Sequence, residues 1–296
     1  MEPAFTQMTV LAPGLLGGSL AIGARQRGLV KRIHVWARRP EVREKCRHQY
    51  WCDAAFEAPE EAVAGSDLVV ICTPVETIHR LARRVAGSLR EGAVVTDVGS
   101  TKGRLCRLIE AIMPPGRHFV GSHPMAGSEK SGMEFASGTL FETRTCFVTP
   151  VETTDPVSVA KIAAFWKALG MEIVTLPPEK HDEIVANISH LPHFTATILC
   201  NWLAHGNSDW KGWAGQGLRD TTRVASGSPD MWRAICEENR DEILRALEGF
   251  ASEFSIMRKA LEDRNYDKLF RLFESGKAYR DSMSVKPCKT TELVHG

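Results

Sequence analysis

The sequence predicts an α/β chain, with a doubly wound, mainly parallel sheet in its N-terminal part and an all-helical C-terminal part. Three observations carry this. Short apolar runs alternate with amphipathic stretches from Met8 to about Leu176, the repeating texture of strand and crossover helix. A glycine-rich turn, Ala12-Pro13-Gly14-Leu15-Leu16-Gly17-Gly18-Ser19, follows the first run directly. Beyond Pro177-Pro178 the strand texture ends and long helical periodicities begin.

The predicted strands are 9–11, 33–36, 68–72, 94–96, 119–121, 146–149 and 172–176. Proline suits a helix start and disfavours helix in the residue before it, so the expected domains are 1–177 and 178–296. Helices are expected over 179–205, from 229 to about 261, and from 266 to about 283, with a Gly- and Trp-rich loop at 206–228 and a loose tail from about Val285. Pro192 removes a hydrogen bond from the first of these helices, which predicts a kink near Ile188. In the second, Ile243, Leu247, Phe250, Phe254, Met257 and Leu261 are spaced four and three alternately, a heptad seam. A continuous helix of about 33 residues would be about 50 Å long. That exceeds the width of a small domain, so part of the seam is expected on a second copy, a homodimer. The alternative is burial against the chain's own helices.

Composition narrows the partners. The chain has 296 residues, 43% of them hydrophobic, enough for two cores, and a net charge of only +1. No broad basic field invites nucleic acid or a membrane surface, which leaves a small molecule. The eight cysteines (Cys46, Cys52, Cys72, Cys106, Cys146, Cys200, Cys236 and Cys288) form no Cys-x-x-Cys pair and read as reduced packing residues; no metal is expected. There is no signal-like N-terminus, and no apolar run approaches the roughly 18 residues that span a bilayer, so a cytoplasmic protein is expected.

The turn after the first strand fits G-x-G-x-x-G with Ala12 in the first position. Such a turn brings backbone N–H groups and a helix N-terminus against a pyrophosphate, with Gly14, Leu15, Leu16 and Gly17 as the contacts. Its place between strand and helix makes the N-terminal domain Rossmann-like. The methyl of Ala12 restricts the turn. About 20 residues further on, where an acid would hold the ribose hydroxyls of NAD, stand Arg38 and Arg39. Two guanidinium forks suit a 2′-phosphate and favour NADP, with NAD possible. Three more segments fall at strand C-terminal ends, where open sheets gather ligands: Thr73-Pro74, the run from Asp97 to Lys102, and His123 in Gly121-Ser122-His123-Pro124-Met125-Ala126-Gly127. Thr73, Pro74 and Asp97 are candidate cofactor contacts, and Lys102 a candidate carboxylate or phosphate contact.

Together with Ser189-His190-Leu191-Pro192-His193 and Arg219-Asp220-Thr221-Thr222-Arg223, these segments resemble the prephenate and arogenate dehydrogenases of tyrosine biosynthesis over nearly the whole chain. The resemblance implies oxidative decarboxylation of prephenate to 4-hydroxyphenylpyruvate with hydride transfer to NAD(P)+. It makes His123 the base for the ring hydroxyl, Ser100 a hydroxyl beside substrate and nicotinamide, and Arg223 the grip on the side-chain carboxylate. It places His190, with Ser189, at the substrate. Arg219 and Asp220 would form an ion pair framing the pocket mouth, with a plain surface salt bridge as the equal alternative. Arogenate is the alternative substrate, with Glu129 a candidate for its ammonium group. The same fold also admits a reductase of imines or branched keto acids, which would leave the segments 121–127 and 189–193 without a reason, and a non-catalytic NADP(H) sensor that uses its long helices to bind a partner. No preceding mutase segment and no appended regulatory domain is expected. His193 is read as a core or capped ring as readily as a functional one, and Trp202, Trp210, Trp213 and Trp232 as packing anchors.

Overall fold

β1 (Phe5–Leu11) runs into α1 (Leu15–Gln26), and the alternation continues through β2 (Val30–Trp36), α2 (Pro40–Arg47), β3 (Ala54–Phe56), α3 (Pro59–Val63), β4 (Leu68–Ile71), α4 (Val75–Val85), β5 (Val94–Asp97), α5 (Gly103–Glu110) and β6 (His118–Pro124). Then come β7 (Thr145–Thr149), α6 (Pro156–Ala168) and β8 (Glu172–Thr175). This computed structural model describes residues 5–127 and 132–283, so Glu129 and Cys288 lie outside the described residues. The strands form one sheet in the order β3-β2-β1-β4-β5-β6-β7-β8. Pairing is parallel from β3 to β6, antiparallel between β6 and β7, and parallel again between β7 and β8. The Rossmann-like doubly wound sheet is therefore present, and each predicted strand is in it. β3 is an addition.

Helices cover both faces, which is why the strands read as continuous apolar runs. Residues alternate between two cores: Met8, Val10, Leu68, Val70, Val94 and Val120 face one, and Leu11, Val69, Ile71, Val95 and Phe119 the other. All crossovers up to β6 leave the strand C-terminal ends on one edge, with the connecting turns above them.

The helical part begins with α7 (Pro178–Val185), widens to a π-helical turn at Ala186–His190 and continues as α8 (Leu191–Ala204). The π turn absorbs the hydrogen bond that Pro192 cannot make, at the position where a kink is expected. The segment expected as loop is instead built of short helices: a 3₁₀ turn at Ser208–Trp213, α9 (Gln216–Thr222) and a second 3₁₀ turn at Arg223–Ser226. α10 (Pro229–Glu238), α11 (Arg240–Glu262) and α12 (Tyr266–Ser282) follow.

One continuous helix from 229 to 261 is not what forms. Asn239, at φ −118° and ψ 31°, breaks it. Its side chain is drawn inward, Nδ2 donating to the Asp182 carbonyl at 2.9 Å and lying 3.3 Å from His190 Nδ1. The seam helix α11 is 23 residues long, about 35 Å rather than 50 Å. The chain folds as two compact units, 1–240 and 241–296. In the first, α7 packs on α5 and α10 on α4, so packing carries past residue 177. The second consists of α11 and α12, on which Phe254, Leu261, Phe270, Phe273 and Tyr279 are exposed. No helix among the described residues is long and apolar enough to cross a membrane.

Candidate active site

The turn after β1 is tight enough to force a non-glycine residue left-handed: Ala12 has φ 76°, and its N–H donates to the Trp36 carbonyl at 2.9 Å. Gly17 is where α1 closes on the strand, since a Cβ there would sit 2.7 Å from the Ala12 carbonyl oxygen and 2.9 Å from Val10 Cγ1. Gly14, in contrast, faces open space. Gly14 also leaves α1 without a side-chain cap, so the first N–H groups of the helix remain for an anion. Beyond β4 and β5 the hydroxyls of Thr73 and Thr101 are buried without a hydrogen-bond partner. Bare glycine, uncapped helix and orphaned hydroxyls on one sheet edge fit a dinucleotide phosphate and its neighbouring ribose and nicotinamide. Leu15 and Leu16 open α1 half-buried, and Pro74 is exposed before α4. Arg38 and Arg39, both exposed, follow β2. Arg38 forms no ion pair among the described residues, and Arg39 Nε stands 3.7 Å from Glu41.

Two acidic-basic expectations change. Asp97, expected at the cofactor, is fully buried: it pairs with the equally buried Lys102 ammonium and accepts from Gly99 N at 2.8 Å and Ser122 N at 3.1 Å. Lys102, expected at a carboxylate or phosphate of a ligand, is likewise internal. The pair cannot leave one another without stranding a charge in the core, and it braces the turn that carries half-buried Ser100.

His123 leaves β6 with its ring 8% exposed. Its Nδ1 lies 2.8 Å from His181 Nε2, and His181 Nδ1 lies 2.8 Å from Asp182 Oδ1. Asp182 ends the line at the N-terminus of α5, accepting from Lys102 N at 2.8 Å and Gly103 N at 2.7 Å. His181 and Asp182 escaped the sequence analysis, in which they fall in the polar first turn of a helix. The available signal was Pro177-Pro178, which starts that helix close to the end of β8. Burial, then the facing His181, the Lys102 ammonium and His190, push the His123 pKa well below its ordinary value. Burial and Lys102 push His181 down to about 2, and burial lowers His190 to about 4. Burial raises the Asp182 carboxyl, against the backbone donors of Gly103 and Lys102.

His190, expected at the substrate, is 1% exposed and sits between Asn239 and the edge of Trp232. Trp232 also stacks flat on His193, centroids 3.6 Å apart at 9°, over Gly227, where a Cβ would meet the indole at 2.6 Å. His193 bonds to the Val224 carbonyl, which ties the turn bearing exposed Arg223 to α8. Ser189 is half-buried in the π turn. Asp220 accepts from Gln216 at 2.7 Å, one helical turn away, in place of the ion pair with Arg219, which is exposed on α9. Trp202, Trp210 and Trp213 are exposed in the single chain, Trp210 lying close to Gly206, and Trp232 is half-buried against His190 and His193.

Two family profiles match this chain in succession: the nucleotide-binding domain of prephenate dehydrogenase over residues 20–175 and its dimerization domain over 177–275. The chain belongs to the prephenate dehydrogenase family. The prephenate dehydrogenase of Bacillus subtilis (strain 168) is 34% identical over 277 residues, covering 92% of this chain and 75% of that protein. The structure of prephenate dehydrogenase from A. aeolicus in complex with hydroxyphenyl propionate and NAD+ superposes with a TM-score of 0.88 at 30% identity, covering 94% of this chain and 98% of that one. Synechocystis arogenate dehydrogenase superposes at 0.82 with 27% identity, over 94% and 100% of the two chains. Family membership accounts for the sheet, the dinucleotide turn and the helical domain together.

Proposed function

We propose that this protein is a prephenate dehydrogenase that oxidatively decarboxylates prephenate to 4-hydroxyphenylpyruvate, prefers NADP over NAD, and works as a homodimer. The observation that carries the reading is the line from His123 through His181 to Asp182, ending at the N-terminus of α5 in a chain of this family.

The hydrogen-bond network assigns the tautomers. Asp182, holding two backbone N–H groups, is an acceptor, so His181 donates from Nδ1 and accepts at Nε2. His123 then donates from Nδ1 and keeps the Nε2 lone pair for a substrate hydroxyl. Its lowered pKa keeps that nitrogen unprotonated at physiological pH, as a general base requires. When His123 takes the hydroxyl proton, Asp182 balances the new charge through the neutral His181 ring. A bound nicotinamide would supply the acceptor for the hydride leaving the hydroxyl-bearing carbon, and loss of carbon dioxide would make the ring aromatic. Ser100 orients the hydroxyl, and Arg223 binds the side-chain carboxylate with its planar fork. Gly14, Leu15, Leu16 and Gly17 hold the pyrophosphate, and Thr73 and Thr101 offer hydroxyls to the same cofactor. Ser189 and Arg219 border the substrate; His190 holds the wall behind it. Arg38 and Arg39 support the NADP preference. The exposed aromatic side chains of α11 and α12, in a segment that matches a dimerization domain, support the dimer.

The test is an assay of prephenate and arogenate, each with NAD+ and NADP+, followed by growth of the reduced cofactor. Turnover of prephenate with NADP+ above the other three combinations is the expected result. Turnover of arogenate alone moves the assignment to arogenate dehydrogenase. NADPH binding with no turnover of either substrate makes the chain a sensor.

A further inference from the structure

The turn that carries Arg38 and Arg39 is held by a third arginine. Arg43, in the first half of α2, is 7% exposed. Its Nη1 donates to two successive carbonyls of the turn, Ala37 at 3.0 Å and Arg38 at 3.0 Å. Its Nη2 stands 3.6 Å from the carboxylate of Glu57, which follows β3 and is itself 86% exposed. The helix start gives the turn no other anchor of this kind, because Arg39, in the N-cap position, makes no side-chain cap bond. The backbone bonds from Val42 N and Arg43 N to the Arg39 carbonyl, each 3.2 Å, and the Arg39–Glu41 pair at 3.7 Å also fasten it.

A buried guanidinium is a costly way to secure an eight-residue helix, because its desolvation is repaid only by acceptors placed in its own plane. Here the acceptors are the carbonyls that set where the next two side chains leave the backbone. The arrangement also puts three positive side chains at the tip of β2, where a Rossmann-like fold reads the 2′ position of the adenosine ribose.

We propose that Arg43 is a positioning residue for cofactor selection: by clamping the Ala37 and Arg38 carbonyls it aims Arg38 and Arg39 at a 2′-phosphate. This rests on the NADP preference proposed above and adds the element that makes two exposed, flexible side chains selective. Free arginines at a strand end lose rotamer entropy when they bind an anion; a fixed turn reduces that loss to the side chains alone.

The experiment is calorimetric binding of 2′,5′-ADP and of 5′-AMP to the full chain, as wild type, Arg43→Met, Arg43→Lys, Arg38→Ala and the Arg38→Ala/Arg43→Met pair, with a thermal melt of each. Arg43→Met is expected to weaken 2′,5′-ADP about tenfold, the scale of one charge-assisted contact, and to change 5′-AMP by less than about twofold. Arg43→Lys, which can still donate to a carbonyl, falls between, and adding Arg43→Met to Arg38→Ala weakens 2′,5′-ADP by less than Arg43→Met does alone, because only Arg39 is left to aim. Equal weakening of both nucleotides, or of neither, overturns the proposal, since a merely structural arginine would not distinguish them. If Arg43→Met does not fold, the same comparison is read from Arg43→Lys. A wild type that binds 2′,5′-ADP no better than 5′-AMP refutes the NADP preference itself, and the role of Arg43 falls with it; a wild type with the preference, abolished by Arg38→Ala and kept by Arg43→Met, refutes the role of Arg43 alone.

Discussion

Asp182→Asn isolates the far end of the histidine line without touching any residue proposed to contact substrate. The carboxylate accepts three N–H groups: Lys102 and His181 on Oδ1 and Gly103 on Oδ2. Asparagine can put its oxygen on only one side. With oxygen toward Lys102 and His181, its amide opposes the Gly103 N–H; with oxygen toward Gly103, its amide opposes His181 and drives that ring into the tautomer that donates from Nε2. In the second case His123 must accept at Nδ1 and carries its proton on Nε2, where the base is needed. In both cases the charge that balances the His123 imidazolium is gone. Losing one charge-assisted hydrogen bond from the transition state costs about 1.5–3 kcal/mol, roughly a 10- to 100-fold fall in kcat. The unsatisfied donor costs about 1–3 kcal/mol of stability, read as a lower Tm. Because the lost anion favoured the protonated ring, the acid limb of the kcat profile moves to lower pH while the plateau falls. A variant whose Tm drops but whose plateau stays within about twofold of wild type, or whose acid limb moves to higher pH, would show Asp182 to be a helix cap and nothing more.

His123→Asn keeps the fold and nucleotide binding and lowers turnover by roughly 10²–10⁴ fold; near-normal turnover removes His123 from the chemistry. Arg223→Ala raises the KM for prephenate with a smaller change in kcat, a loss of about 2–5 kcal/mol if the carboxylate is fully desolvated, and an unchanged KM puts the carboxylate elsewhere. Ala12→Gly relieves a left-handed alanine and raises stability by up to about 1 kcal/mol in denaturant titration; a clear loss would mean that the methyl has a packing role. Buried His123, His181 and His190 all have lowered pKa values, so below about pH 6.5 the unfolded chain binds protons that the native chain refuses. Stability then falls with pH by about 1.4 kcal/mol per unit for each histidine, reduced by Asp182, whose raised pKa acts in the opposite sense. A denaturation midpoint that is flat between pH 5 and 7 contradicts the burial of these rings.

The strands were legible because both faces of the sheet are covered, which turns each strand into an uninterrupted apolar run. β3 was not, since Ala54–Phe56 is three residues long and half-buried. At the site, the residues at the strand ends could be found from topology alone: once the turn at Gly14 is placed, Thr73, Asp97 and His123 must lie on the same edge. Facing direction could not. Asp97 and Lys102 read as a polar loop because sequence does not reveal that each neutralises the other in the core. The break at Asn239 was invisible for a similar reason, an asparagine within a helical pattern being tolerable until its amide finds the Asp182 carbonyl.

That same asparagine explains why the change of texture at residue 177 and the edge of the first compact unit at residue 240 fall so far apart. The proposed proton path requires His181 to meet a strand-end histidine and Asp182 to meet the start of α5, which the docking of α7 on the sheet provides. Asn239 bonds the Asp182 carbonyl from the far end of α10, and α10 rests on α4. The first helices of the C-terminal sequence are thereby held by the chemistry's own scaffold. Breaking the chain at 177 would therefore separate His123 from the two residues that set its tautomer, and a fragment ending there should keep the dinucleotide turn and His123 while losing the partners that orient the ring.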